Sequence, residues 1–116
     1  MNFIVQEKKI FTLISLPKIL DSSVSVPLKK KLDELIADGV KNIIFDLNLS
    51  EYCDSSGLSA ILKGNRLSNN VGGVCLLVNV CEVIEKLITI SQLAEVLKIR
   101  TDLDKAEDFI LRSFVN

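Results

Sequence analysis

The run Ile43-Ile44-Phe45-Asp46-Leu47, followed after a short polar connection by Asp54-Ser55-Ser56-Gly57-Leu58, constrains this chain more than any other stretch. An apolar, β-branched run of strand length predicts a strand buried on both faces, as in a sheet covered by helices. The Asp-Ser-Ser-Gly that follows predicts a helix start, where backbone N–H groups lack partners and the macrodipole is positive. Two hydroxyls therefore sit at a natural seat for a phosphate. A switch built this way needs no catalytic machinery of its own.

The rest of the chain supplies the sheet and its cover. Phe3 to Val5 and Ile10 to Leu16 predict a hairpin across Gln6-Glu7-Lys8-Lys9, ended by Pro17. Asp21-Ser22-Ser23 offers N-caps for an amphipathic helix carrying Val24, Leu28, Leu32, Leu35 and Ile36, with Gly39 as its left-handed stop. The triple Lys29-Lys30-Lys31 falls on or beside the polar side of that helix, as a solvated face. A second helix is predicted from about Ser56 to Asn69, with Leu58, Ile61 and Leu62 inward, and then a strand over Val74 to Val78. Val80, Val83, Ile84, Leu87 and Ile88 predict a third helix, and Val96 to Ile99 a weak strand. Asp102 or Asp104 caps a last helix with Ala106, Phe109, Ile110 and Phe114. Strands alternating with helices after a hairpin predict an α/β sheet of mixed direction, because each strand-helix-strand crossover favours parallel pairing. The 116 residues are expected to form one domain, 1–116, since no linker, repeat or low-complexity tract divides them.

Composition excludes several classes of function. Fourteen basic against fifteen acidic residues give a net charge of −1, and aromatic content is only 5%. Nucleic-acid binding is not expected from a chain with neither a basic surplus nor a stacking platform. No apolar run reaches the length of a bilayer span and the start lacks a secretory pattern, so a cytoplasmic protein without direct membrane insertion is expected. Cys53, Cys75 and Cys81 are odd in number and form no Cys-x-x-Cys pair, which predicts buried, reduced thiols and neither a disulfide framework nor a metal site. Cys53, beside the serines, is placed where it could be exposed, with no electropositive neighbour in view to activate it. The chain has no histidine, so Ser-His-Asp and Cys-His constellations are impossible and an enzyme is not expected. No cofactor is expected either.

The strand Ile43 to Leu47, the connection Asn48-Leu49-Ser50-Glu51-Tyr52-Cys53, the Asp54-Ser55-Ser56-Gly57-Leu58 helix start and the Gly72-Gly73 turn before Val74 to Val78 together resemble the STAS domain, specifically the single-domain anti-sigma factor antagonists of bacteria. The resemblance covers almost the whole chain. It implies the STAS fold, an α/β arrangement with a mixed, mostly parallel sheet of four to five strands and about four helices packed mainly on one face. It also implies that the serine directly after the aspartate, Ser55, is phosphorylated by a partner that is both serine kinase, of the histidine-kinase-like ATPase fold, and anti-sigma factor. Unphosphorylated antagonist would hold that kinase and free its target. Phosphorylated antagonist would be released until a metal-dependent serine phosphatase restored it.

Each neighbouring residue also has a plainer reading. Ser56 is a second candidate acceptor, or its hydroxyl bonds the local backbone. Asp54 can cap the helix, hold the backbone or help place Ser55; capping and positioning are favoured, because kinases supply their own base and metal ions. Gly57 either clears room for a partner's backbone or serves helix-to-sheet packing. Tyr52 and Leu58 complete the expected partner contacts. Asp21 matches an acidic position of the family's kinase-facing loop, and as a bare residue it is a helix cap. The sequence departs from the family where Pro17-Lys18-Ile19-Leu20 replaces a common glycine before that loop, and where Ser59 stands at a position often glycine. A second functional reading is a non-switching STAS subunit that scaffolds an ATPase in a membrane-associated complex. A nucleotide-binding or hydrolytic enzyme ranks last, for want of a Gly-x-x-x-x-Gly-Lys loop and of histidine.

Overall fold

The computed structural model describes residues 3–114. Along the chain run β1 (Ile4–Glu7), β2 (Thr12–Ser15), β3 (Ile19–Leu20), α1 (Ser22–Ala37), β4 (Ile43–Asp46), β5 (Tyr52–Cys53), α2 (Ser55–Asn70), β6 (Cys75–Val78), α3 (Glu82–Ile90), β7 (Lys98–Arg100) and α4 (Leu103–Ser113). The main sheet has the order β1-β2-β4-β6-β7, with β1 antiparallel to β2 and every other pairing parallel. The helical crossovers account for the parallel majority. β4 lies at the centre, in keeping with its near-continuous apolar character.

Register explains why β4 shows no apolar-polar alternation. Ile14, Phe45 and Leu77 lie side by side on one face, and Leu13, Ile44 and Leu76 on the other, all six buried. The first face packs under Val24, Leu28 and Leu32 of α1, Leu58 and Ile61 of α2, and Ile84 and Ile88 of α3. The second face packs under Ala106 and Ile110 of α4. Three helices therefore share one face and a single helix covers the other. Burying each Leu- or Ile-sized side chain contributes about 1.5–3 kcal/mol, so both faces must be apolar. Lys63 adds a polar clamp between α1 and α2, its Nζ lying 2.7 Å from Asp33 Oδ2 and donating to the Lys29 carbonyl at 3.3 Å.

Several expected boundaries move. The hairpin turn follows Glu7, with Lys8 N donating to Phe11 O at 2.8 Å, so Gln6 and Glu7 belong to β1. Val83 is exposed because it points about 100° around α3 from Ile84, away from the sheet. Val80 precedes α3, Val96 precedes β7 and is exposed, and Phe114 lies exposed past the last turn of α4. Asp102, rather than Asp104, caps α4, accepting from Lys105 N at 3.0 Å.

The largest unforeseen feature is a second, two-stranded parallel sheet. β3 and β5 pair with Ile19 opposite Tyr52 and Leu20 opposite Cys53. The Pro17-to-Leu20 segment thus ends in a short strand, and its Pro17, Lys18 and Leu20 carbonyls are engaged by the segment around β5. Ser50 Oγ donates to Pro17 O at 2.7 Å, Glu51 N to Lys18 O at 2.9 Å, and Asp54 N to Leu20 O at 3.1 Å. Two residues are too few for any periodic pattern to announce a strand.

Candidate functional site

β3 and β5 run straight into α1 and α2, so their parallel register lays two helix mouths side by side. At the second mouth Asp54 has an extended backbone and its Oδ1 accepts from Gly57 N at 3.1 Å, the geometry of an N-cap. Ser55 is the first helical residue and is exposed, and among the described residues its hydroxyl makes no hydrogen bond. A hydroxyl there is open to solvent and adjoins the unpaired N–H groups of the first turn. Ser56 follows as the second helical residue, half-buried.

At the first mouth Asp21 caps α1, its Oδ1 accepting from Ser23 N at 3.0 Å and Ser23 Oγ at 2.6 Å. The hydrogen bond from the Ser23 side chain holds the Asp21 carboxyl below its ordinary value, because it favours the charged form. Leu20 and Cys53 are paired neighbours, so Asp21 and Asp54 come next to each other although they lie 33 positions apart in the chain. Asp21 thus stands beside the mouth of α2 with Pro17-Lys18-Ile19-Leu20 before it.

Two of the expected partner contacts lie inside the molecule. Gly57 is buried, and a Cβ there would collide with the Leu20 carbonyl oxygen and lie 2.7 Å from Leu20 Cβ. Its missing side chain serves the packing of α2 on β3. Leu58 is 6% exposed and belongs to the core. Both shape the surface from beneath without forming it. Tyr52, in contrast, is 53% exposed, and its cross-strand partner Ile19 is 49% exposed. Leu49, on the loop leading into β5, is 64% exposed. Ile19 and Leu49 escaped the sequence reading because an isolated apolar residue in a polar connection is unremarkable until pairing gives it neighbours. Ser50 escaped it too, although its buried hydroxyl holds the loop to Pro17.

Beneath the surface lies Cys53, buried, its Sγ 3.4 Å from the Asp54 carbonyl oxygen. Burial, aided by the Asp54 charge, pushes its thiol up to about 11. Cys75 is fully buried and shifted upward by desolvation, whereas Cys81 is half-exposed. At pH 8 the Cys53 thiolate fraction should be about one in a thousand. Iodoacetamide should therefore modify Cys81 first and leave Cys53 and Cys75 unreacted in the native fold. Peptide mapping checks this; early labelling of Cys53 would show that β5 opens.

The site is an open surface. Concavities of about 370, 420 and 500 Å³ occur among the described residues, and Ser55 lines none of them. Among the described residues there is also no cluster of three or more potential metal ligands, and no helix is long and apolar enough to cross a membrane.

Fold and site together define a small α/β domain that offers neighbouring capped helix mouths on an open, partly apolar surface. The STAS domain family model matches residues 2–106, and the chain belongs to that family. No match was found among curated protein sequences. Among solved structures, the phosphorylated form of the Bacillus cell fate determinant SpoIIAA is 24% identical, with 93% of this chain and 98% of that chain covered and a TM-score of 0.74. Its unphosphorylated form, an anti-sigma factor antagonist, is 21% identical over 95% and 97% of the two chains, with a TM-score of 0.76. A serine-to-glutamate variant of Moorella thermoacetica RsbS is 15% identical over 100% of both chains, with a TM-score of 0.80. A sulfate transporter family protein from Wolinella succinogenes is 19% identical over 90% and 87%, with a TM-score of 0.74. At these identities the likenesses establish the shared fold.

Proposed function

We propose that this protein is an anti-sigma factor antagonist that works as a phosphorylation-controlled partner switch, with Ser55 as the acceptor. The observation that carries the reading is the exposed, unengaged Ser55 hydroxyl at the mouth of α2, on an open surface with the exposed apolar residues Ile19, Leu49 and Tyr52 nearby in the fold. Fold similarity to SpoIIAA, a protein known in phosphorylated and unphosphorylated forms, supports it. In this reading the partner is a serine kinase of the histidine-kinase-like ATPase fold that also holds the regulated target. Asp21, Tyr52, Asp54 and Ser56 join Ile19 and Leu49 as its contacts, and a metal-dependent serine phosphatase resets the switch. The protein itself acts by binding, in the cytoplasm.

The physics needs no refolding. A phosphate on Ser55 adds about −1.5 to −2 charges. In the free protein, water, the amides of the first turn and the positive helix end accommodate that charge. Inside an interface the same group must be desolvated beside Asp54, and an unpaired buried charge typically costs about 2–5 kcal/mol of affinity. Modification therefore favours release.

The test incubates the protein with Mg-ATP and each serine kinase of that fold from its own genome, followed by fragment mass spectrometry. Phosphate should map to Ser55. Ser55→Ala should bind the kinase as well as the unmodified protein does, and Ser55→Asp should bind at least about tenfold more weakly. A kinase that binds tightly yet never modifies Ser55 would overturn the switch. The similarity to a sulfate transporter family protein keeps a second reading in view, a STAS subunit scaffolding an ATPase in a membrane-associated complex. Co-purification from native membranes of an ATPase with permease components, in place of a soluble kinase, would favour it.

A further inference from the structure

β1 forms one edge of the main sheet, where it pairs with β2 and with no further strand among the described residues. Lys8 N donates to Phe11 O at 2.8 Å, whereas Thr12 N and Leu16 N donate the other way, to Asn42 O and Asp46 O of the β4 segment, at 2.9 Å each. Residues of an antiparallel pair alternate between those that bond across it and those that do not. Gln6 and Ile4 therefore bond to Leu13 and Ser15, and the backbone N–H and C=O groups of Val5 and Glu7 point outward from the sheet. Along this edge, between β1 and α1, lies a concavity of about 420 Å³ lined by Phe3, Val5, Pro27, Lys30, Lys31 and Glu34. Phe3 and Val5 pack on the core beneath α1, so strand alternation turns Glu7 to that face as well. Glu7 and Lys30 are exposed, and among the described residues neither has an ion-pair partner, whereas Lys31 lies 3.8 Å from Glu34.

From this juxtaposition we infer that the β1 edge docks a second copy of this chain, antiparallel, about a two-fold axis that passes by Val5 normal to the sheet. Unpaired strand edges are templates for another strand, and here the strand that fits is β1 itself. Centred on Val5, the pairing sets Val5 against its own copy and Phe3 against Glu7 of the partner subunit, so the outward backbone groups of both strands meet in register. Neighbouring strands lie about 4.8 Å apart, and side chains of facing residues share a face. The carboxylate of Glu7 of the partner subunit therefore enters the groove beside Lys30, and the axis makes that ion pair twice. This charge match selects a second copy over an unrelated strand, because β1 carries at its far end the carboxylate that the groove's free lysine calls for. So short an edge buries less than about 1,200 Å², in the class of weak, transient contacts, which sets the dissociation constant on the order of 100 µM. The axis joins two five-stranded sheets into one and leaves both Ser55 mouths open, at opposite ends of it. Association is thus independent of the reading of Ser55.

The test is sedimentation equilibrium of the full chain from about 10 µM to about 1 mM at low salt. The average mass should climb from 12.9 kDa toward twice that value, and added salt should weaken the association. Val5→Pro removes an outward N–H that makes no bond within the fold, at an edge position where proline is tolerated. It should keep the circular dichroism spectrum and stay monomeric throughout. Glu7→Lys and Lys30→Glu should each raise the dissociation constant about tenfold, and the two together should restore it to within about threefold, since the exchanged charges attract again. The charge exchange decides the matter even if Val5→Pro fails to fold. A constant mass up to the highest concentration would overturn the inference. So would a dimer that the folded Val5→Pro protein still forms, or one indifferent to both charge reversals.

Discussion

Alanine at position 57 should destabilise the native fold by about 3 kcal/mol or more, near or above the upper end of what overpacking usually costs. The added methyl would collide with the Leu20 carbonyl oxygen and lie 2.7 Å from Leu20 Cβ and 2.9 Å from its carbonyl carbon. Two of these are backbone atoms and the Cβ is bonded directly to the backbone, so rotamer changes cannot move them. The Leu20 carbonyl also accepts from Asp54 N, so separating the segments costs a hydrogen bond as well. Gly39 and Gly72 serve as controls. They adopt φ of +99° and +82° with nothing within 4 Å of an added Cβ, so alanine there meets only the left-handed backbone penalty of about 1–2 kcal/mol. Urea unfolding of the three variants gives the comparison. A Gly57→Ala loss no larger than that of Gly72→Ala would mean that α2 is not seated on β3 as described. Hydrogen exchange should place the damage at residues 19–23 and 52–57, because the same contact holds both helix mouths.

The second large effect is a compensated one. Gly64 of α2 faces the ring of Phe45, and an added Cβ would lie 2.7 Å from Cζ and 2.8 Å from Cε2. Phe45 is fully buried on the central strand, in a core where close packing resists displacement of a ring. Gly64→Ala should therefore cost about 1–3 kcal/mol despite the better helix propensity of alanine. Phe45→Leu alone should cost about 1–2 kcal/mol through the space it opens. Combined, the two should fit each other, with a favourable coupling of about 1–2 kcal/mol in a double-mutant cycle. Strict additivity would show that ring and glycine do not meet. The contrast with Gly57 is instructive, since a side-chain obstacle can be substituted away and a carbonyl cannot.

Much of the architecture was legible because local chemistry and tertiary need coincide. Ile43 to Leu47 reads as buried on both faces because helices do cover both. Asp21, Asp54 and Asp102 read as caps because an aspartate before a helix satisfies orphan amides in almost any context. Leu58 was expected both to face inward on its helix and to join the partner contacts, and helical rotation carries it into the core while Ser55 stays out. Val83 failed in the opposite direction, its apolar character outweighed by its place around α3.

The residues alone determined the strand interior, the helix starts and the placing of Ser55 at the mouth of a helix, because burial, capping and dipole act over a few neighbouring positions. Only the tertiary structure decided that Asp21 and Ser22 stand beside Asp54 and Ser55, that Ile19 and Tyr52 share one exposed surface, and that Gly57 answers to Leu20. Each of these depends on two short strands, 33 residues apart, joining through backbone hydrogen bonds. Backbone groups are the same in every residue, so composition carries no mark of which distant strand they will choose.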